Sequence, residues 1–345
     1  MKAIKSTPII KYILAAVFAI VAVAAISVAG RYFTDYKKNV PEKFTLYITP
    51  ETSFQALADT LKEKLADLKS FEKCFKRENP AGTLVPGHYV FKKDANNKNI
   101  VRSLKNGWQT PYRLTLSGNI RGLEKLAGIL GRKMMYDSAA FIRYFNDPQT
   151  WDKYSLTGET FATLFIPNTY ELYWSNTPEE FTERMNKENV RFWNEKRLQR
   201  AKELKMSKEE ISTLASIVCE ESNYNPELST IAGVYMNRLK RGMKLEADPT
   251  VKFALNNPGL KRILYKHLEV DSPYNTYKII GLPPGPITIP SVAGIDAVLN
   301  YKDHNYLYFC ASEKLDGTHK FARTLSEHNR NARAYQAAIN KLKIR

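Results

Sequence analysis

Nineteen consecutive uncharged residues, Tyr12 to Gly30 (YILAAVFAIVAVAAISVAG), constrain this chain more than any other feature. At about 1.5 Å of rise per residue, a helix of that length covers roughly the 30 Å hydrocarbon core of a bilayer. Lys2, Lys5 and Lys11 sit in the short leader before it. The positive-inside tendency keeps that leader, residues 1–11, in the cytoplasm and exports the rest. Arg31, Lys37 and Lys38 follow closely, so the charge asymmetry is weak. The alternative is a cleaved signal peptide with Ser27-Val28-Ala29 as its small-x-small site, although the apolar run is long for a signal. No second span of this length follows. The expectation is a single-pass anchor in the cytoplasmic membrane, with the bulk of the chain outside the cytoplasm.

A chain of 345 residues suits two or three domains, and 43% hydrophobic with 25% charged residues is a globular composition. A formal charge of +17 favours an anionic neighbour, whether nucleic acid, anionic lipid or an acidic polymer. Lys and Arg are spread along the chain, and no helix-turn-helix, zinc-knuckle or ribonucleoprotein motif occurs, so nucleic acid is not the expected partner. Cys74, Cys219 and Cys310 are far apart and lack the spacing of a structural zinc site. They read as small buried hydrophobes, with one disulfide as the alternative.

The expected fold class is α+β. Residues 31–43 read as a polar linker, and residues 44–117 as a small α+β domain. In it Phe44–Ile48 alternates like a strand, and Thr52 and Ser53 offer caps for a helix through Leu65. Gly87–Phe91 and Tyr112–Leu116 read as strands around a helix near Ile100 to Leu104. Size and order fit a glycan-binding LysM-like module or a spacer. Residues 118–204 read as mainly helical, with Pro178 in the first turn of a long charged helix running to about Leu204. The dense aromatics of Phe165–Trp174 suit either a sugar cleft or core packing. Residues 205–345 form a third, mixed helical and strand region.

That third region opens on the segment with the strongest chemical signal. Ser207 and Glu210 make a capping box that starts a helix. Advancing about 100° per residue puts Ile211, Leu214, Ala215 and Val218 on one apolar face, with Glu221 at its edge and Glu220 pointing toward water. A carboxyl on a half-buried face loses solvation and keeps its proton to higher pH, as a general acid requires. The competing role is a helix-end glutamate paired with a cation such as Arg238. The next helix carries Ile231, Val234, Tyr235 and Arg238 on its inner side and ends at Gly242. A buried guanidinium there needs a carboxylate, and Glu246 and Asp248 follow in a turn.

The segments ASIV-CEES, GVYMNRLKRGMKLEADPTV, SPYNTYKIIGLPPGPITIPS, YLYF and HKFARTLSEHN, in this order over about residues 205 to 335, resemble the membrane-bound endolytic lytic transglycosylases of the MltG (YceG-like) family. The family helix usually reads ASI-(I/V)-E-K-E, and the resemblance puts the catalytic glutamate at Glu221. Cys219 stands where the family has its first glutamate, and Glu220 where it often has Lys. A negative Glu220 would act upward on the Glu221 pKa.

The resemblance implies that residues 205–345 are the YceG-like catalytic domain. It implies a lytic cut between MurNAc and GlcNAc that leaves a 1,6-anhydroMurNAc end and consumes no water, with no metal or organic cofactor. The implied partners are peptidoglycan strands, the membrane and peptidoglycan synthases. Supporting or substrate-binding roles fall to Asn237, Arg238, Asp248, Thr250, Tyr274, Asn275, Tyr277, Ser326, His328 and Asn329. Three of these also have a structural reading: Asn237 as a cap or turn contact, Asp248 as a partner of Arg238, and His328 as a packed histidine. A hydrolytic muramidase with Asp248 as second carboxylate, and a non-catalytic glycan-binding scaffold, are the competing functions.

Overall fold

The computed structural model describes residues 8–117, 120–257, 259–260 and 263–341. Lys2 and Lys5 of the expected leader lie outside the described residues. The first helix, α1, spans Pro8–Tyr36, 29 residues. From Ile10 to Phe33 its side chains are almost all exposed. By length and apolar composition it fits a single-pass membrane anchor.

The expected linker departs from the structure. Residues 31–36 continue α1, and the chain then docks at once. Asp35 is buried and pairs with Arg77 and Lys98. Asn39 donates to Asn97 at 2.6 Å and accepts from the Asp67 amide at 2.7 Å, and Asn97 also donates to the Thr34 carbonyl. Charged residues that resemble a solvated tether are thus the polar seam between the end of α1 and the domain after it. Each buried polar group in that seam needs a partner, which fixes the joint.

The chain divides into two compact units, one running up to Tyr112 and taking in Glu171–Ser175, the other made of Arg113–Tyr170 and the chain from Asn176 on. In the first unit, β1 (Phe44–Ile48), α2 (Phe54–Leu61), α3 (Leu68–Glu78), β2 (Gly87–Phe91) and α4 (Asn97–Asn106) follow in order. β1 and β2 pair antiparallel, Phe44 opposite Phe91 and Ile48 opposite Gly87. Ser53 caps α2 as expected, by accepting from the Ala56 amide, but the helix stops at Leu61. The core joins Leu46, Ile48, Leu57, Leu61, Phe71 and Ile100.

β3 (Tyr112–Thr115) leads into a helical stretch: α5 (Gly122–Gly131), α6 (Ser138–Phe145), α7 (Pro148–Lys153) and a 3-10 turn, Phe161–Leu164. β4 (Thr169–Leu172), which pairs with β3, comes next, and then α8 (Pro178–Phe192) and α9 (Glu195–Leu204). The single long helix expected after Pro178 is therefore two. Trp193 ends α8, and the Asn194 side chain caps α9 by accepting from the Arg197 amide. The aromatic segment is core at its start, where Phe165 is 1% exposed and packs on Phe145, Phe161 and Phe181, and surfaces at Tyr173. Of the two readings of that segment, core packing is the one realised for Phe165, Tyr170 and Leu172.

The rest of the second unit holds α10 (Lys208–Glu221), α11 (Asn225–Lys240), α12 (Asp248–Ala254), α13 (Tyr265–Leu268) and α14 (Val292–Leu299). β5 (Tyr308–Ala311), β6 (His319–Ala322) and α15 (Leu325–Lys341) complete it. β5 and β6 pair antiparallel, and α15 packs on both. Residues 118–204 do not form a domain separate from residues 205–345, since Ile166, Trp193 and Ala201 share one core with α10, α11 and α14.

At the centre of that core lies α10. Every residue from Ile211 to Val218 is buried, including Ser212, Thr213 and Ser216. Two of these hydroxyls fold back onto the helix, Ser212 to the Lys208 carbonyl and Ser216 to that of Thr213. The crossing of α10 and α14 is close at Gly294, where any Cβ would collide with Cys219 Sγ. All three cysteines are free.

Candidate active site

Glu221 is the last residue of α10, and Ser222 turns the chain into an extended conformation behind it. The C-terminal end of a helix carries partial negative charge, and the last turn of α10 has no basic residue to offset it. Tyr235 of α11 donates its hydroxyl to Glu221 Oε1 at 2.6 Å. Burial pushes the Glu221 carboxyl up from 4.5 to about 7. The Tyr235 hydrogen bond works against that rise, while the charges of Asp248 and Glu220 add to it and Lys252 opposes it. The group is thus poised to hold a proton near neutrality and release it on demand.

Tyr235 was legible in the sequence only as an apolar contact. It is 2% exposed and stands edge-on to Phe309 at 5.9 Å. A buried phenol needs a hydrogen-bond partner, and here the partner is the carboxyl itself. Burial and the neighbouring Glu221 charge keep its hydroxyl protonated. It therefore remains a donor whichever form Glu221 takes.

The expected outward direction of Glu220 is corrected. Its side chain is 5% exposed and pairs with Arg121, which precedes α5. The helix-face argument assumed one wet side, but α10 is packed by α9, α11, α12, α14 and the 3-10 turn. The sequence did hold a warning: the supposed polar face carries Ser212, Thr213 and Ser216 and no charge until Glu220. Replacing Glu220 with Lys, which sets a second cation against Arg121, is expected to cost about 2 kcal/mol of stability. Thermal unfolding measures it, and the charge-swapped pair Arg121→Glu with Glu220→Lys should recover at least half. Equal melting temperatures for the single variant and the parent would refute a structural ion pair.

Most of the supporting residues hold the scaffold. Arg238 pairs with Glu246 at 3.0 Å, not with Asp248 or Glu221, and donates to the carbonyls of Leu245 and Leu307. Asn237 donates to the carbonyls of His304 and Tyr306, which favours its structural reading. Thr250 is fully buried and bonds Thr276 and the Ala247 carbonyl. Asn275, also fully buried, donates to the carbonyls of Leu268 and Val270. Tyr274 packs on Phe253 with centroids 4.7 Å apart. Tyr277 donates to Asp248 Oδ1 at 2.7 Å, so these two stand together next to the electrostatic field of Glu221. Ser326, His328 and Asn329 lie on α15. The His328 ring packs at a tilt on Tyr308 with centroids 5.5 Å apart, and burial together with the Arg238 charge lowers its pKa. That places His328 in the Arg238 packing rather than among the groups acting on Glu221.

The sequence model of the YceG-like family matches residues 46–334. Among curated proteins, the endolytic murein transglycosylase of Bacillus subtilis strain 168 is 42% identical over 139 residues, 40% of this chain and 38% of that protein. The protein of the same description from Streptococcus pneumoniae D39 is 35% identical over 126 residues, 35% of this chain and 23% of that one. The matched part thus spans well under half of either relative. A crystal structure of a yceG-like protein from Listeria monocytogenes superposes with a TM-score of 0.55 at 29% identity, covering 84% of this chain and 98% of that one.

Proposed function

The chain belongs to the YceG-like family, and we propose that it is a single-pass membrane enzyme that cuts peptidoglycan strands internally, as an endolytic murein transglycosylase. The observation that carries this reading is the Glu221 carboxyl, held protonated near neutrality by burial and fixed in direction by Tyr235. The names of the relatives from Bacillus and Streptococcus support it.

In this reaction Glu221 gives its proton to the glycosidic oxygen between MurNAc and GlcNAc. The C1–O bond breaks and GlcNAc leaves as the alcohol. The MurNAc C6 hydroxyl attacks C1, and its proton returns to the Glu221 carboxylate. Atoms balance without water, and the end formed is 1,6-anhydroMurNAc. Proton transfer is the only catalytic chemistry needed, so the reading calls for no cofactor.

In this reading α1 crosses the cytoplasmic membrane and the enzyme faces the periplasmic side. The Asp35 and Asn39 network joins α1 to the first unit without a free tether. That unit, with its β-α-α-β order, then serves as a LysM-like glycan contact at the bilayer surface. The substrate is the nascent strand close to its synthases, and the cut ends its elongation.

The test is product chemistry, with the full chain in detergent acting on uncrosslinked strands. Anhydro ends and early fragments several disaccharides long are expected. Reducing MurNAc ends, heavier by one water, would instead assign a hydrolytic muramidase with Asp248 as the second carboxylate. Early release of single disaccharides alone would defeat the endolytic part.

A further inference from the structure

Beside the Glu220–Glu221 pair the second unit holds a cavity of about 880 Å³. Arg121 and Lys125 wall it on one side, Lys252 and Phe253 of α12 on another, and Glu220 between them. Lys252 stands near enough to Glu221 for its charge to act on that carboxyl. The cavity is therefore part of the neighbourhood in which the strand is cut.

Two features of its wall ask for a particular ligand. Lys125 and Lys252 place two ammonium groups on it beside the carboxylate of Glu124, and Arg121 adds a guanidinium that is engaged with Glu220, so three cations face two carboxylates and one positive charge is in excess. A neutral sugar ring can hydrogen-bond to such a wall, but only an anionic group also answers its excess positive charge. Glu220 supplies the second feature. One of its oxygens is taken by Arg121, while Oε1 is buried with no hydrogen-bond partner among the described residues. A buried acceptor left alone is costly and calls for a donor. A ligand suited to both features carries amide N–H groups and carboxylates together, on a chain slim enough to lie against the Phe253 ring.

Among the parts of a peptidoglycan strand, one has that chemistry. The muramyl residue bears a lactyl ether extended by a peptide, with N–H groups along it and carboxylates on its side chains and end. We infer that this cavity is the subsite for the peptide-bearing lactyl substituent of the muramyl residue, with Lys125 and Lys252 facing its carboxylates and Glu220 Oε1 accepting from an amide. The inference rests on the strand-cutting reading for its choice of ligand. It adds that the enzyme selects peptide-bearing strands over stripped ones.

The test is equilibrium binding by calorimetry, using the full chain in detergent with Glu221→Gln to stop turnover. That background also removes the coupling between Lys252 and the acid. The two probes are a tetrasaccharide carrying its stem peptides and the same tetrasaccharide after an amidase has removed them. The stem-bearing probe is expected to bind about tenfold more tightly, and Lys252→Glu to erase that preference. An unchanged melting temperature of the Lys252→Glu variant confirms that the loss is local. Equal affinities for the two probes, or an equal loss on both in Lys252→Glu, overturns the inference. Cleavage is scored separately with the parent chain. Stem-dependent binding without cleavage supports the subsite and counts against the proposed reaction, whereas cleavage without stem preference does the reverse.

Discussion

Replacing Glu221 with Gln is expected to lower the rate of strand cutting by about a thousandfold while the protein stays folded. The amide keeps the shape of the carboxyl and still accepts from Tyr235, but it has no proton to give. In the parent chain, cutting requires the protonated form, and the carboxyl is held up at about 7. Activity should therefore be full on the acidic side and fall about tenfold per unit above that value.

The same group predicts a stability effect of defined sign. In the unfolded chain Glu221 ionises near its ordinary 4.5, whereas in the folded chain it keeps the proton to about 7. Between these values only the unfolded state releases its proton, so the parent loses stability as pH rises through the window. Glu221→Gln removes that loss. It should be more stable than the parent by about 3 kcal/mol above pH 7 and by little below pH 4.5. Chemical unfolding at several pH values measures this. A variant that loses activity and stability together at pH 8 would mean that Glu221 is structural, and the proposed acid would have to be sought elsewhere.

How much of this was legible in the sequence depends on how local the signal was. The anchor helix, the Ser207–Glu210 capping box and the inward direction of Glu221 all follow from residues within a few positions of one another. The family resemblance singled out the same Glu221. Tertiary context decided the rest. A wet Glu220 presupposes a single apolar stripe, and the surrounding helices leave α10 no wet side from Ile211 to Val218. Residues 31–36 look like a tether because Arg31 and Asp35 are charged, yet the Asp35 charge is met by Arg77 and Lys98 of the following domain. The helix α3 escaped the sequence reading, although Asp67 caps it and Phe71, Cys74 and Phe75 are buried at helical spacing. Tyr235 carried no signal of its own. Only a helix crossing not written in either helix brings a residue 14 positions away onto Glu221.

Arg238 is the position at which a single change is expected to cost the most stability. The sequence shows the need for a carboxylate, but the partner is Glu246 rather than Asp248. The Arg238 side chain is 9% exposed, and its guanidinium also donates to the carbonyls of Leu307 at 2.7 Å, Leu245 at 2.9 Å and Lys244 at 3.2 Å. These acceptors lie on two segments, the turn that leads into α12 and the approach to β5. Glu246 holds that turn with φ of +51°, a conformation that L side chains rarely adopt without outside support. Arg238→Met would fill much of the volume but leave several buried carbonyls without a donor. The expected loss is about 4 kcal/mol, read from the shift in urea midpoint at constant m value. Arg238→Lys should recover only part of it, because one ammonium cannot span acceptors placed for a planar fork. His328 gives an independent reading, since the Arg238 charge helps to lower its pKa. Its titration, followed by NMR, should move up toward the ordinary 6.5 in Arg238→Met. A Met variant within about 1 kcal/mol of the parent would show that water replaces the guanidinium at those carbonyls. In that case Arg238 would not be what sets the turn that leads into α12, and with it Asp248 and Lys252, toward Glu221.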